Sequence, residues 1–160
     1  MEQFIGTKIV QAEPAHRFWM PDGEKVIVPY SEDRPQMVAD AVACDNGYKV
    51  VYQPEGYESW SPKEVFEKAY RRTDGLSFGL AVEAAKMGHK IARAGWNGKD
   101  QYVELGVNFS YEIPYSGEEH SAHHLDMGSQ ALVFVGTKGR QVGWLASQAD
   151  MLADDWRIVE

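Results

Sequence analysis

The stretch that decides the fold runs from His89 to Leu105, "HKIARAGWNGKDQYVEL". Gly95, Trp96, Asn97, Gly98 and Lys99 stand together in it. One reading is a glycine-rich cradle for phosphate. The other is a tight turn that carries a tryptophan. A phosphate loop feeds the N-terminus of a helix, where free backbone amides meet the anion. The residues after this one, "QYVEL", have the β-branched and aromatic alternation of a strand. Neither G-x-x-x-x-G-K-[ST] nor G-x-G-x-x-G occurs in the chain, so the loop fits neither familiar nucleotide motif. Asn97-Gly98 is a strong hairpin signal, and the segment reads as two antiparallel strands around a turn.

Working outward, Ser77 to Met87 carries Phe78, Ala81, Val82 and Ala85 at helical spacing. Gly88 follows as the residue that leaves a helix through the left-handed region. Downstream, residues 109–129 are polar and rich in Gly, Ser and His, which predicts an excursion loop. "ALVFVGTKGRQVGWL" (131–145) reads as a hairpin turning at Lys138-Gly139, with Trp144 on its second strand. Ser147 suits the cap of a short helix with Asp150 at the third position, and Trp156 to Val159 closes as a strand.

The first half is less regular. Thr7 to Ala12 reads as a strand. Pro14, Pro21, Asp22, Gly23, Pro29 and Pro35 then predict a loop-rich stretch with a strand at Lys25–Val28 and a helical turn at Met37–Ala43. Tyr48 to Trp60 is a hairpin turning at Pro54-Glu55-Gly56. A helix follows, with Ser61 as cap, Pro62 first, Glu64 third, and Val65, Phe66, Ala69 and Tyr70 as its apolar side. Thr73-Asp74-Gly75 marks a junction, so the chain divides into residues 1–74 and 75–160. The fold class is α+β, an antiparallel sheet of hairpins with a few short capped helices. "SPKEVFEKAYR" and "SQADMLADDWR" echo one another. Two duplicated halves would explain that, and so would convergence of capped helices that follow hairpins.

The 160 residues, 44% hydrophobic and 25% charged, are those of a globular protein. No apolar run reaches the roughly 18 residues of a membrane span, and the first residues lack the pattern of a secretion signal. The single Cys44 allows no intrachain disulfide. These features suit the cytoplasm. A net charge of −8 opposes binding to long nucleic acid. A small anion needs only two or three placed cations and remains open.

Candidate chemistry is sparse. His120, His123, His124 and Asp126 have residue types that bind zinc, yet they sit in the excursion loop and no paired metal motif accompanies them. The reading is no metal and no cofactor, with a metal-dependent hydrolase as an alternative. No nucleophile motif is present. Trp96 beside Asn97, and Trp144 near Ser147 and Gln148, suit stacking on a base with amides at its edges. The bland reading keeps both rings in the core.

The segments "LSFGLAVEAAKMGHKIARAGWNGK" (76–99) and "WLASQADMLADDWRIVE" (144–160) resemble the Thoeris anti-defense 2 family of phage proteins, over about half the chain. The resemblance implies a sponge rather than an enzyme. It implies a homo-oligomer, typically a tetramer, with pockets between protomers that sequester cyclic nucleotide signals uncleaved: glycocyclic ADP-ribose, and in some members cyclic dinucleotides. Carried over, it places Phe78, Trp96, Asn97, Trp144, Gln148 and Asp150 near such a pocket; by charge, Arg93, Lys99 and Arg140 would meet the phosphates, with Ser147 beside Trp144 as a further ligand contact. The middle segment with its histidines departs from the family pattern. A phage accessory protein that binds a host or virion protein is the alternative that the long N-terminal half suggests.

Overall fold

A computed structural model of the chain describes residue 3 and residues 6–33, 38–96, 98, 100–108, 110–112, 121–123 and 130–160. It separates into two compact units, Met1–Arg71 and Arg72–Glu160. Both are built on antiparallel sheets with few, short helices, as an α+β reading requires.

The first unit is a four-stranded sheet of β1 (Val10–Trp19), β2 (Lys25–Pro29), β3 (Ala43–Tyr52) and β4 (Tyr57–Pro62), ordered β2-β1-β3-β4. Helix α1 (Lys63–Ala69) follows. The expected strand Thr7–Ala12 starts later, at Val10, and continues through Pro14 to Trp19. Pro14 is tolerated for a geometric reason. Its carbonyl accepts from Tyr30 N at 2.9 Å, so its nitrogen faces the same side, beyond Pro29, where β2 has ended. The one bond Pro14 cannot donate, to the Tyr30 carbonyl, falls past the end of β2, where its loss interrupts no ladder. β3 likewise begins at Ala43, and the expected helical turn shrinks to one turn in which Ala41 N donates to the Val38 carbonyl; Met37 lies outside the described residues.

The β3–β4 hairpin turns at residues 53–56 with Gly56 at φ +69°. Helix α1 corrects its predicted cap. Ser61 is still in β4, opposite Tyr48, so Pro62 takes the cap position and no side chain bonds the first turn. Val65 is exposed. Phe66 instead anchors the helix by stacking on Tyr48 at 4.2 Å and on Tyr70 at 4.7 Å.

The second unit is a five-stranded sheet ordered β10-β9-β6-β5-β11. Its strands are β5 (Lys90–Arg93), β6 (Tyr102–Val107), β9 (Gln130–Gly136), β10 (Gly139–Val142) and β11 (Trp156–Val159). Helices α2 (Phe78–Lys86) and α3 (Gln148–Met151) complete it. The predicted excursion loop holds a small ladder of β7 (Ser110–Glu112) and β8 (Ser121–His123). Helix α2 ends as expected, with Gly88 at φ +93°. Its small face, Ala81, Ala84 and Ala85, lies on Ile91, Val103 and Trp156. Small residues on a helix allow its backbone to approach a sheet closely, so this contact is tightly packed.

One turn differs from expectation. Gly136 pairs with Gly139, which puts the β9–β10 turn at Thr137-Lys138, one residue early. Between β5 and β6 the register is Ile91 opposite Val103; β5 ends at Arg93 and β6 begins at Tyr102, and the turn expected at Asn97-Gly98 falls on Asn97, outside the described residues. Ala94 N donates to the Asp155 carbonyl and Gly95 N to the Asp155 carboxylate, drawing the chain toward β11. The sheets of the two units have four strands and five.

Candidate functional site

Register partners share one face of a sheet. Ile158, Ile91, Val103 and Phe134 therefore project to one side, and Val103 pairs directly with Phe134. Both helices lie on that face, and so do the tryptophans. Trp156, 0% exposed, is the hub. Trp96 meets it edge-on at 5.5 Å and Trp144 edge-on at 6.2 Å, while Phe78 lies tilted against it at 5.4 Å. Trp96 also meets Phe134 at 5.4 Å and Trp144 at 5.9 Å, both edge-on. Edge-to-face contacts of this kind favour fixed ring orientations.

Trp96 and Trp144 are only half-buried, because they wall an open cleft of about 360 Å³ lined also by Gly98, Gln101, Phe134 and Asp150. Gly136 leaves room for this wall: a Cβ there would lie 2.8 Å from the Phe134 ring. Trp144 does not lie on a strand. β10 ends at Val142, Gly143 takes φ +76°, and both Gly143 N and Trp144 N donate to the Leu132 carbonyl. That bend places the indole against Trp96.

A polar network backs the cleft. Asp150 and Ser147 form the expected capping box: Asp150 N donates to Ser147 Oγ at 3.2 Å, and Ser147 N donates back to Asp150 Oδ2 at 3.1 Å. The Ser147 hydroxyl donates to the same Oδ2 at 2.6 Å. The other oxygen, Oδ1, accepts from Arg93 at 3.0 Å and from the Trp96 indole at 3.4 Å. Trp156 donates its indole N–H to the Asp150 carbonyl at 2.9 Å. Burial raises the Asp150 pKa, but the Ser147 and Arg93 bonds outweigh it and hold the carboxyl below its usual range. Asp155 is likewise lowered, chiefly by Arg93, whose Nε lies 2.7 Å from it. Arg93 is raised in turn by the two carboxylates.

Residues 76–159 match the family described as the Thoeris anti-defense 2-like domain. Over 86 residues the chain is 33% identical to Thoeris anti-defense 2 of Bacillus phage SP01, a match covering 52% of this chain and 94% of that protein. The chain belongs to this family. The match falls on the second unit and takes in the whole aromatic face and its cleft.

Within this Thoeris anti-defense 2-like domain, the cleft brings together Trp96, Trp144 and Asp150 from the expected set. Arg93 stands behind Asp150, its donors occupied by Asp155, Asp150 and the Ala149 carbonyl. Ser147 fixes Asp150 and does not line the cleft. Gln148 is exposed in the first turn of α3. Phe78 supports Trp156 from the helix side rather than lining the opening. Arg140 is placed elsewhere. It pairs with Val135, which pairs with Tyr102, so it projects from the opposite face of the sheet and there donates to Glu104 at 3.2 Å. Asn97 and Lys99 lie outside the described residues, as do His120, His124 and Asp126; His123 lies on β8 opposite Ser110. Among the described residues no group of three or more His, Cys, Asp or Glu is placed to hold a metal ion.

Sequence reading missed four contributors. Phe134 and Gln101 line the cleft, Trp156 centres the rings, and Asp155 anchors Arg93. Phe134 was legible in principle, since alternation along "ALVFVG" separates it from Val133 and Val135. Nothing local marks Asp155 as the partner of a residue 62 positions away.

Proposed function

We propose that this protein is a phage anti-defence sponge: it binds a cyclic nucleotide immune signal, glycocyclic ADP-ribose or a cyclic dinucleotide, and sequesters it without cleavage. Residues 75–160 are the ligand-binding domain and residues 1–74 a separate N-terminal module. The observation that carries the reading is the cleft walled by Trp96, Trp144 and Phe134 with the Gln101 amide at its edge, in the half that matches the anti-defence family. Aromatic walls stack on bases whatever their identity, while an amide reads a base edge. Capture requires fixed walls and no activated nucleophile. The rings here are fixed by one another, and Asp150 has both oxygens engaged.

Phosphates are met by cations from outside this cleft wall. Arg93 is neutralised by two carboxylates. Lys99, next in sequence to Gly98 of the cleft, supplies one charge, and Arg140 of a neighbouring protomer another. A homo-oligomer, such as a tetramer with shared pockets, fits this division of labour. Leu145 and Leu152, 89% and 79% exposed on either side of α3, are apolar surface that a second copy would cover. Among the described residues no helix is long and apolar enough to cross a membrane, and the site of action is the host cytoplasm.

The test is capture and release. The protein is incubated with glycocyclic ADP-ribose and a panel of cyclic dinucleotides, washed, and heated, and the released compound is identified by mass. Native mass spectrometry gives the assembly size with and without ligand. Recovery of an intact ligand supports the proposal. Failure to retain any of the panel, or recovery of a cleaved product, overturns it.

A further inference from the structure

The wall that Trp96 gives the cleft is held at two ends, and one residue outside the cleft reaches both. Among the described residues the lining is Trp96, Gly98, Gln101, Phe134, Trp144 and Asp150; Asp155 stands behind it, just before β11. Its place is set by the hub that follows it. Trp156 N donates to the Leu76 carbonyl at 3.2 Å, Leu76 N donates back to the Trp156 carbonyl at 2.7 Å, and the Trp156 indole donates to the Asp150 carbonyl at 2.9 Å. The Asp155 carbonyl then accepts Ala94 N at 3.0 Å, and its Oδ2 accepts Gly95 N at 3.2 Å. Trp96 N donates to the Arg93 carbonyl at 3.4 Å. The backbone is thus tied at two successive residues and turns straight into Trp96.

The second arm runs through side chains. Asp155 Oδ1 accepts Arg93 Nε at 2.7 Å and Oδ2 accepts Nη2 at 3.3 Å, a two-pronged pairing that fixes the guanidinium plane. The remaining nitrogen, Nη1, donates to Asp150 Oδ1 at 3.0 Å, and that oxygen also accepts the Trp96 indole N–H. The contacts close on themselves. They run from Asp155 to Gly95 and Trp96 along the chain, and back from the indole through Asp150 and Arg93 to Asp155. An indole on an open wall could choose among staggered rotamers; this circuit selects one. The Arg93 and Asp150 side chains are only 20% and 15% exposed, so water competes weakly for the bonds. We propose that Asp155 is a positioning residue for ligand capture: it touches no ligand, and sets the angle of the Trp96 wall through the Gly95 amide and through Arg93. The role presupposes the reading of the cleft as the nucleotide site, and it places part of the control of affinity outside the cleft.

Asp155→Asn keeps an acceptor for the Gly95 amide and loses the charge that pairs with Arg93, whereas Asp155→Ala loses both. Each is made in the full-length protein, alone and together with Trp96→Ala, and binding of glycocyclic ADP-ribose and of cyclic di-AMP is measured by calorimetry. Asp155→Ala should weaken binding about fivefold and Asp155→Asn less, and neither should weaken it further where Trp96 is already gone. A second readout needs no ligand. The protein is labelled with 5-fluorotryptophan, and the Trp96 fluorine resonance is assigned as the one lost in Trp96→Phe. It should be a single sharp line in the wild type and should broaden or split in both Asp155 variants, while the lines of Trp19 and Trp60 stay unchanged. Circular dichroism verifies the fold, and Asp155→Asn carries the comparison if Asp155→Ala does not fold. A Trp96 line that stays single and sharp in the variants, or a loss of binding that is equal with and without Trp96, overturns the proposal. If the wild type binds neither compound, the reading of the cleft fails, and the fluorine spectra alone decide whether Asp155 positions the ring.

Discussion

Trp96 donates its indole N–H to Asp150 Oδ1 at 3.4 Å, and that same oxygen accepts Arg93 at 3.0 Å. The ring that faces the cleft is thus aimed by a carboxylate whose other oxygen caps α3. A single residue couples helix start, ring orientation and ion pair. Asp150→Ala should therefore do two things at once. It removes a cap interaction worth about 1 kcal/mol and frees the Trp96 ring. The urea midpoint should fall modestly, while ligand capture falls further than that stability change explains. Ser147→Ala removes the cap but leaves the Asp150–Trp96 bond and the Arg93 pair, so it should cost less stability than Asp150→Ala and have less effect on capture. Identical capture by both variants would show that aiming the ring is unimportant.

The rings can be tested directly. Trp144→Ala removes a wall of the cleft at a half-buried position, and a stacked base contributes about 1–3 kcal/mol of binding. Capture should weaken by roughly tenfold or more, measured by calorimetry with whichever ligand is retained. Trp96→Ala should weaken capture similarly. It should also destabilise the domain by about 2 kcal/mol, because Trp96 packs on Trp144, Trp156 and Phe134 and is more than a surface ring, though less than the roughly 3–5 kcal/mol of a fully buried one. A Trp96→Ala protein of unchanged stability would contradict the ring geometry.

How far the sequence revealed this arrangement depends on the range of each contact. The α3 capping box was legible because Ser147 and Asp150 are three residues apart and their geometry is local. Gly88 was legible for the same reason. Pro14 misled because a proline's effect on a strand depends on where the neighbouring strand ends, and β2 comes from later in the chain. Nothing local to Ala94 and Gly95 shows that Asp155, brought alongside by β11, holds both of their amides. Trp96 was expected to serve either the core or a ligand. It packs against Trp156 with one side and faces the cleft with the other. That Arg140 projects from the sheet face opposite the rings could be read only once the β9–β10 register was known.

Arg140 supplies a discriminating variant. It lies on the sheet face away from the rings and bonds only Glu104 among its described side-chain partners. Arg140→Ala should leave stability within about 0.5 kcal/mol, as exposed pairs do. If a neighbouring protomer's Arg140 meets the ligand phosphates, capture by the assembled oligomer should weaken while the tryptophan fluorescence of the free protein stays unchanged. Unaltered affinity would remove Arg140 from the phosphate contacts and leave Lys99 to supply them.

The Arg93 network sets the response to acid. Asp150 and Asp155 are both held below their usual pKa in the folded protein, whereas unfolded aspartates titrate near 3.9. The unfolded state therefore takes up protons first as the pH falls. The stabilisation is fully present above about pH 4 and is lost as the pH drops through the folded values. Arg93→Met removes the cation that lowers both carboxyls, so it should reduce stability at neutral pH and flatten the decline below pH 4. Urea midpoints from pH 7 down to about pH 2.5 measure both effects, since the extra protons bound by the unfolded aspartates should appear in the wild-type slope and be diminished in the variant. A variant with the same slope as the wild type would mean that Arg93 does not hold these aspartates ionised, and that the Ser147 cap and the Gly95 amide are what keep them charged.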